Sequence, residues 1–348
     1  MAIDNAMEGL HFEQKKNIAI KLKHYLTPLH LAARSAFLSL PFKVSLKPFP
    51  AGTGHMISSL RQNEIDIGIG LTEGWIAGLV GKEQIEKGAD ADGGYKVVGQ
   101  WVETPLRWAI VTGSKRDGIT GVEDLKGGRV GRIRECLMAD VGLLFPTSGS
   151  HIMSFVLAKQ QNWPASTPLI PVILGPFASL RDGVMGTNPS QPDAPSNPTA
   201  DFFMWEQFTT KPYFDVTSTT PAPPLKKIGE IFTPWPSWHI AASTSTFLRP
   251  EDDARLSQLL MALDKGIAAF EADTAHVISL LGTGELGCTY SKEDATEWLK
   301  DVRFVKDGTK GVQRDIVENV VGILKDAGVV PNEVGNDEAV RRVAGILR

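Results

Sequence analysis

The sequence is short of cysteine, of like charges in clusters, and of long apolar runs. Only two cysteines, Cys136 and Cys288, occur in 348 residues. They stand far apart and form no Cys-x-x-Cys pair, which excludes a disulfide scaffold and a cysteine-held metal and points to a reducing compartment. The formal net charge is -4 and no basic cluster stands out, so nucleic acid and anionic membranes are not expected partners. No apolar run is long enough to span a bilayer. Residues 1–16 include Asp4, Glu8 and Glu13 and lack a continuous apolar core, unlike a secretory signal or a mitochondrial presequence. The expected location is the cytoplasm. Catalytic signatures are missing as well: there is no His-Glu-x-x-His, no Gly-x-Ser-x-Gly and no Walker-type Gly-Lys-Ser/Thr. The glycines of residues 68–74 fall inside a strand pattern rather than after it, so they are not a dinucleotide fingerprint.

What is present reads as a soluble α/β protein of two lobes. The composition is 42% hydrophobic and 22% charged, and the length suits two cores better than one. Strand patterns at 17–22, 43–49 and 66–71 alternate with helix patterns, one of them opened by Thr27-Pro28. That alternation predicts a parallel sheet with helices on both faces and a ligand beyond the strands' carboxyl ends. Pro105 between two strand patterns marks a crossing to a second lobe, and residues 228–242 would carry the chain back. The expected division is a tail at 1–16, a first lobe from 17–104 and 228–348 that includes C-terminal helices, and a second lobe from 105–227. Two halves joined by two crossings form a cleft that closes by a hinge.

The candidate contacts fall on the strand-to-helix turns. His24 and Thr27, Thr53, and Glu73 with Trp75 share the rim of the first lobe. Ser148 and Ser150 flank Gly149 before a helix of the second lobe, where hydroxyls and free amides suit a polar or anionic group. Glu206 ends a strand there and could face Glu73. Trp75, Trp205 and Trp238 are expected to form an aromatic clamp at one rim. Trp238 and His239 close the stretch Thr-Pro-Trp-Pro-Ser-Trp-His, whose prolines make residues 233–239 an improbable central strand. Each side chain taken alone also fits an ordinary turn, cap or core position. A catalytic role would need a nucleophile or metal that the sequence does not offer.

Several motifs in series carry a resemblance: Thr27-Pro28-Leu29-His30, Pro50-Ala51-Gly52-Thr53-Gly54, the run from Glu64 to Trp75, Met153 to Ala158, Phe203-Met204-Trp205-Glu206, and Thr233 to His239. Over about 17–243 the chain resembles a fungal family of intracellular proteins with the type 2 periplasmic-binding-protein fold. That family is related to SsuA sulfonate-binding proteins and to thiamine-pyrimidine synthases. The resemblance implies two Rossmann-like lobes, a two-segment hinge, and a small-molecule ligand held without a cofactor. The competing implication is a pyrimidine-synthase-like enzyme that uses pyridoxal phosphate and a histidine such as His24, His55 or His239. Such enzymes carry a lysine and a histidine after the third strand and a cysteine-rich motif, whereas residues 71–75 here have neither and the cysteines are isolated. The resemblance also marks roughly 135–146 as an insertion foreign to the family, and sequencing the native transcript would decide whether these codons are a retained intron.

Overall fold

The computed structural model describes residues 16–20, 24–49, 52–88, 91–132, 149–186, 199–216 and 220–348. The insertion near 135–146, Cys136, Ser148 and the polar loop at 188–198 lie outside the described residues. Two five-stranded sheets organise the chain. The strands are β1 (Lys16–Ile20), β2 (Val44–Pro48), β3 (Ile67–Leu71), β4 (Tyr95–Val102), β5 (Arg107–Gly113), β6 (Arg129–Arg132), β7 (Ile170–Ile173), β8 (Phe202–Glu206), β9 (Leu225–Phe232) and β10 (Trp238–Ser243). The first sheet runs β2-β1-β3-β10-β4 and the second β7-β6-β8-β5-β9.

Each sheet has three parallel strands and then an antiparallel one. β1 lies parallel to β2 and β3, and β10 runs antiparallel to β3 and β4. In the second sheet β6 lies parallel to β7 and β8, and β5 runs antiparallel to β8 and β9. The antiparallel strands are those that flank the crossings between lobes. The crossings, at 103–106 and 233–237, bond to one another: Thr233 N donates to Leu106 O at 3.1 Å, and Ser237 N to Thr104 O at 3.1 Å. The Ser237 hydroxyl adds a second bond to Thr104 O at 2.7 Å. The prolines of these segments stand between strands, where their missing donors cost nothing.

Two expectations are corrected. The boundary at 228 falls inside β9, which pairs with β5 and so stays in the second sheet; the return comes at 233–237. Residues 238 and 239 do join a central strand, because Pro234 and Pro236 end before β10 begins.

The helices are α1 (Thr27–Arg34), α2 (Thr53–Arg61), α3 (Thr72–Val80), α4 (Lys82–Glu86), α5 (Gly149–Gln160), α6 (Phe177–Met185), α7 (Gln207–Thr210) and the C-terminal α8 (Ala254–Ala272), α9 (Thr274–Gly282), α10 (Lys292–Asp301), α11 (Arg314–Asp326) and α12 (Asn336–Val343). Among the described residues no helix is long and apolar enough to cross a membrane. α8 packs on α1 over one face of the first sheet, while α11 and α12 cover α3 on the other. α10 reaches the second lobe, where Asp301 and Glu297 bind Arg107 at 2.9 and 3.1 Å and Asp294 binds Lys211 at 2.5 Å.

The glycines of β3 have a packing cause. A methyl group at Gly68 would stand 2.7 Å from Cη2 of Trp75, and one at Gly70 would stand 2.8 Å from Met56 Cε. The Cη2–Cζ2 edge of the Trp75 indole lies against Gly68 and Gly70, where a side chain on either glycine would collide with it. Gly68→Ala should therefore destabilise the protein by about 1–3 kcal/mol through overpacking; a urea midpoint equal to that of the unaltered protein would refute this.

Candidate functional site

The junction between the lobes begins with a 3₁₀ turn at His24–Leu26 that follows β1. The Thr27 hydroxyl donates to His24 O at 2.8 Å and fixes this turn. His24 and Tyr25 are both buried. The Tyr25 ring stacks on Trp238, with centroids 5.4 Å apart and 23° between planes. His24 Nδ1 lies 3.0 Å from the Tyr290 hydroxyl, and Nε2 faces Glu206 Oε2 across the junction at 3.7 Å. That second distance exceeds a hydrogen bond but is close for charge.

Glu206 ends β8 and caps α7. Its carboxylate accepts from Phe208 N at 3.0 Å, Thr209 N at 2.7 Å and the Thr209 hydroxyl at 2.6 Å. Burial pushes the Glu206 pKa up, but His24 and the Thr209 and Phe208 donors outweigh it and hold the group below the ordinary carboxylate value. The carboxylate therefore stays charged inside the junction. Burial and that charge together raise the Tyr25 and Tyr290 hydroxyls, which remain protonated donors.

A second carboxylate enters from the first lobe. Glu73, in the first turn of α3, is fully buried and accepts from Trp235 Nε1 at 3.0 Å. Opposite it, α5 of the second lobe opens at Gly149, where a methyl group would stand 2.9 Å from Glu73 Oε1 and 3.0 Å from Cη2 of Trp108. Trp108 is the register partner of Glu206 across the β5–β8 pair, so both side chains share one sheet face. Glu73, Trp108, Glu206, His24, Tyr25 and Trp238 thus follow one another along the junction. Buried polar atoms there without a hydrogen-bond partner among the described residues include His24 Nε2, Trp108 Nε1, Gln207 Oε1 and Trp238 Nε1.

The other expected contacts have structural partners or positions of their own. The Thr53 hydroxyl accepts from Leu71 N at 3.1 Å and braces the end of β3. Ser150 is buried in the first turn of α5. The three tryptophans do not form one clamp, because side chains alternate across a strand. The Trp238–Leu71 register puts Trp238 on the opposite face of the first sheet from Gly68, Gly70 and Trp75. Trp75 Nε1 instead donates to His239 O at 3.1 Å. Trp205 points to the opposite face of β8 from Glu206 and packs on Phe177, with centroids 5.4 Å apart.

His239 shares the Trp75 face. The Thr72 hydroxyl donates to Pro236 O at 2.5 Å and lies 2.8 Å from His239 Nδ1. Its one proton is committed to the carbonyl, so Nδ1 carries the imidazole proton and Nε2 keeps a lone pair. Burial, with a smaller contribution from Arg348, lowers the His239 pKa to about 3. Trp108, Trp235, Tyr25, Gln207 and Tyr290 join the junction unforeseen. Trp235 stood inside a stretch already singled out and Tyr25 beside His24, but no local pattern links Tyr290 to either.

The titration of His239 has a definite sign. An unfolded imidazole titrates near 6.5, so the unfolded chain binds more protons and stability falls as pH drops from that value toward about 3. His30 and His151 are lowered in the same direction by burial. His239→Asn should remove one proton's share of the slope between about pH 6 and 5, up to about 1.4 kcal/mol per pH unit. Urea titrations across that range check this, and parallel slopes for both proteins would contradict it.

A family model for Ca3427-like periplasmic-binding proteins matches residues 108–231. No curated protein matches the chain. Among solved structures, the Candida albicans CA3427 gene product, described as defining a family with the generic periplasmic-binding-protein fold, is 30% identical over 94% of each chain with a TM-score of 0.72. The alkanesulfonate-binding protein SsuA of Xanthomonas axonopodis pv. citri, bound to MOPS, is 15% identical over 94% of this chain and 97% of its own, with a TM-score of 0.63. SsuA of Escherichia coli, an aliphatic sulphonate-binding protein, has the same identity and coverage and a TM-score of 0.60. The SsuA likeness is one of fold. The identity to the Candida protein over nearly the whole length is one of family, and this chain belongs to the Ca3427-like family of periplasmic-binding-protein fold.

Proposed function

We propose that this protein binds a small polar or heteroaromatic molecule between its lobes, uses no cofactor and catalyses no reaction. One observation carries the reading: His24 Nε2, Trp108 Nε1, Gln207 Oε1 and Trp238 Nε1, on residues at or next to the lobe junction, are buried without a hydrogen-bond partner among the described residues. A buried unsatisfied polar group costs about 1–3 kcal/mol. A ligand that pairs with the two indole N–H groups, the Gln207 oxygen and the His24 ring nitrogen would offset that cost. The stacked Tyr25 and Trp238 offer a flat surface to a ring, and two buried carboxylates, Glu73 and Glu206, favour a ligand with N–H groups. The hydrogen-bonded crossings at 103–106 and 233–237 serve as the hinge, and a ligand that touches both lobes shifts the population toward the closed state. The two isolated cysteines suit the cytoplasm.

Native mass spectrometry of the purified full chain, followed by denaturing release, should identify a stoichiometric small molecule. Thermal-shift screening would follow with thiamine precursors, sulfonates and purines. Glu206→Gln and Trp108→Phe should each weaken binding of the compound so found by about tenfold, the value of a buried hydrogen bond. An empty protein whose melting temperature no compound raises would sink the proposal.

A further inference from the structure

α10 belongs to the first lobe by its packing. Trp298 is buried, edge-on to the His24 ring at 5.4 Å and to Phe270 of α8 at 6.0 Å. The chain that leaves α10 bonds the end of β4: Glu103 N donates to Arg303 O at 3.0 Å and Val305 N to Trp101 O at 3.2 Å. Asp294, Glu297 and Asp301 stand three and four residues apart, a spacing that puts them on one face of the helix. That face meets two cations of the second lobe. Lys211 Nζ lies 2.5 Å from Asp294 and 2.7 Å from Glu297. Arg107 Nη1 lies 3.1 Å from Glu297 and 2.9 Å from Asp301. Glu297 thus joins both cations, one through each carboxylate oxygen.

The two cations stand next to junction residues in the chain. Arg107 precedes Trp108 at the start of β5, directly after the first crossing, and Lys211 follows α7, whose cap is Glu206. On the first-lobe side, Tyr290 stands two residues before α10, with its hydroxyl 3.0 Å from His24 Nδ1 and its ring 6.1 Å from that of Phe208. Tyr290 with Phe208, Asp294 with Lys211 and Asp301 with Arg107 therefore form one seam between the lobes. It lies on the side of the junction where His24 faces Glu206. Side-chain exposures of 17% for Lys211 and 19% for Arg107 keep these pairs partly shielded from salt. Arg107 also binds Glu230 of its own lobe at 2.9 Å, whereas Lys211 takes both of these carboxylates from α10. Parting the lobes would strip Lys211 of both.

We propose that the acidic face of α10 is an ionic latch, which holds the two lobes closed on the cleft side of the hinge before any ligand enters. The latch goes beyond the binding-protein reading, because it concerns the lobes alone. Contacts made only in the closed form shift the population toward it, and salt weakens contacts between charges. The ligand-free protein is therefore closed at low salt and opens as salt rises. A ligand gains apparent affinity from a form already populated, so its binding depends on ionic strength even where it carries no charge.

Small-angle X-ray scattering of the full chain without ligand measures how far the lobes part. The unaltered protein should be compact at about 0.01 M salt and show a larger radius of gyration at about 1 M, where the Debye length has fallen from about 30 Å to about 3 Å. Glu297→Gln combined with Asp301→Asn should already give the larger radius at low salt. Its open-to-closed ratio should rise about tenfold, since each charge pair lost changes that ratio by about two- to fivefold. Lys211→Met breaks the latch from the other lobe and should open the protein likewise, so it carries the test if the double variant fails to fold by circular dichroism. Glu318→Gln combined with Asp337→Asn removes two charges of the same sign from the Arg314 pairs, away from the junction, and should scatter like the unaltered protein. Three results would overturn the inference: an unaltered protein whose radius does not respond to salt, folded latch variants as compact as it, or latch and control variants that expand alike. None of them touches the binding-protein reading, which fails only when no compound raises the melting temperature.

Discussion

The chain passes between its two sheets twice, and the two passages are bonded to each other. Thr104 and Leu106 on one strand of the crossing meet Thr233 and Ser237 on the other through backbone and hydroxyl hydrogen bonds. This pairing fixes the rest. It sets β5 antiparallel in the second sheet and β10 antiparallel in the first. It holds Trp235 where its indole can reach Glu73, and it starts β10 at Trp238, where the ring lies on Tyr25. The junction residues are thus positioned by the crossing and the strand ends beside it.

Much of the fold was legible because periodicity and proline carry it. An alternating apolar pattern located β2, a buried-type run located β3, glycines marked the turn before α2, and Pro105 marked the first crossing. The end of β9 was less legible. Ile228 to Phe232 reads as a strand in any sheet, and only its partner, β5, decides which lobe owns it. A pairing choice of that kind is a tertiary fact, invisible to local pattern.

The candidate site was half legible. Residues at strand ends were named correctly as lying on turns, and His24, Glu73, Glu206 and Trp238 do come to the junction. The aromatic clamp failed because neighbouring elements were grouped by rim without regard to sheet face. Trp75 and Trp238 flank the same pair of strands from opposite sides, and Trp205 is one residue, hence one face, away from Glu206. The members that were missed came from long range. Tyr290 meets His24 across 266 residues of chain, and Trp108 meets Gly149 only because β5 lies beside β8 and α5 above it.

The position of β10 between β3 and β4 has a consequence for how the protein is made. A ribosome releases β1 to β4 first, but β10 emerges only after the whole second lobe has been threaded out. Until residue 243 arrives, β3 and β4 each present an open edge toward a strand that does not yet exist. β4 then waits longer still for its bridges to Lys310 and Ala344. The half of the protein that is synthesised first must therefore finish last, and its unpaired edges are the surfaces most in need of shelter during translation.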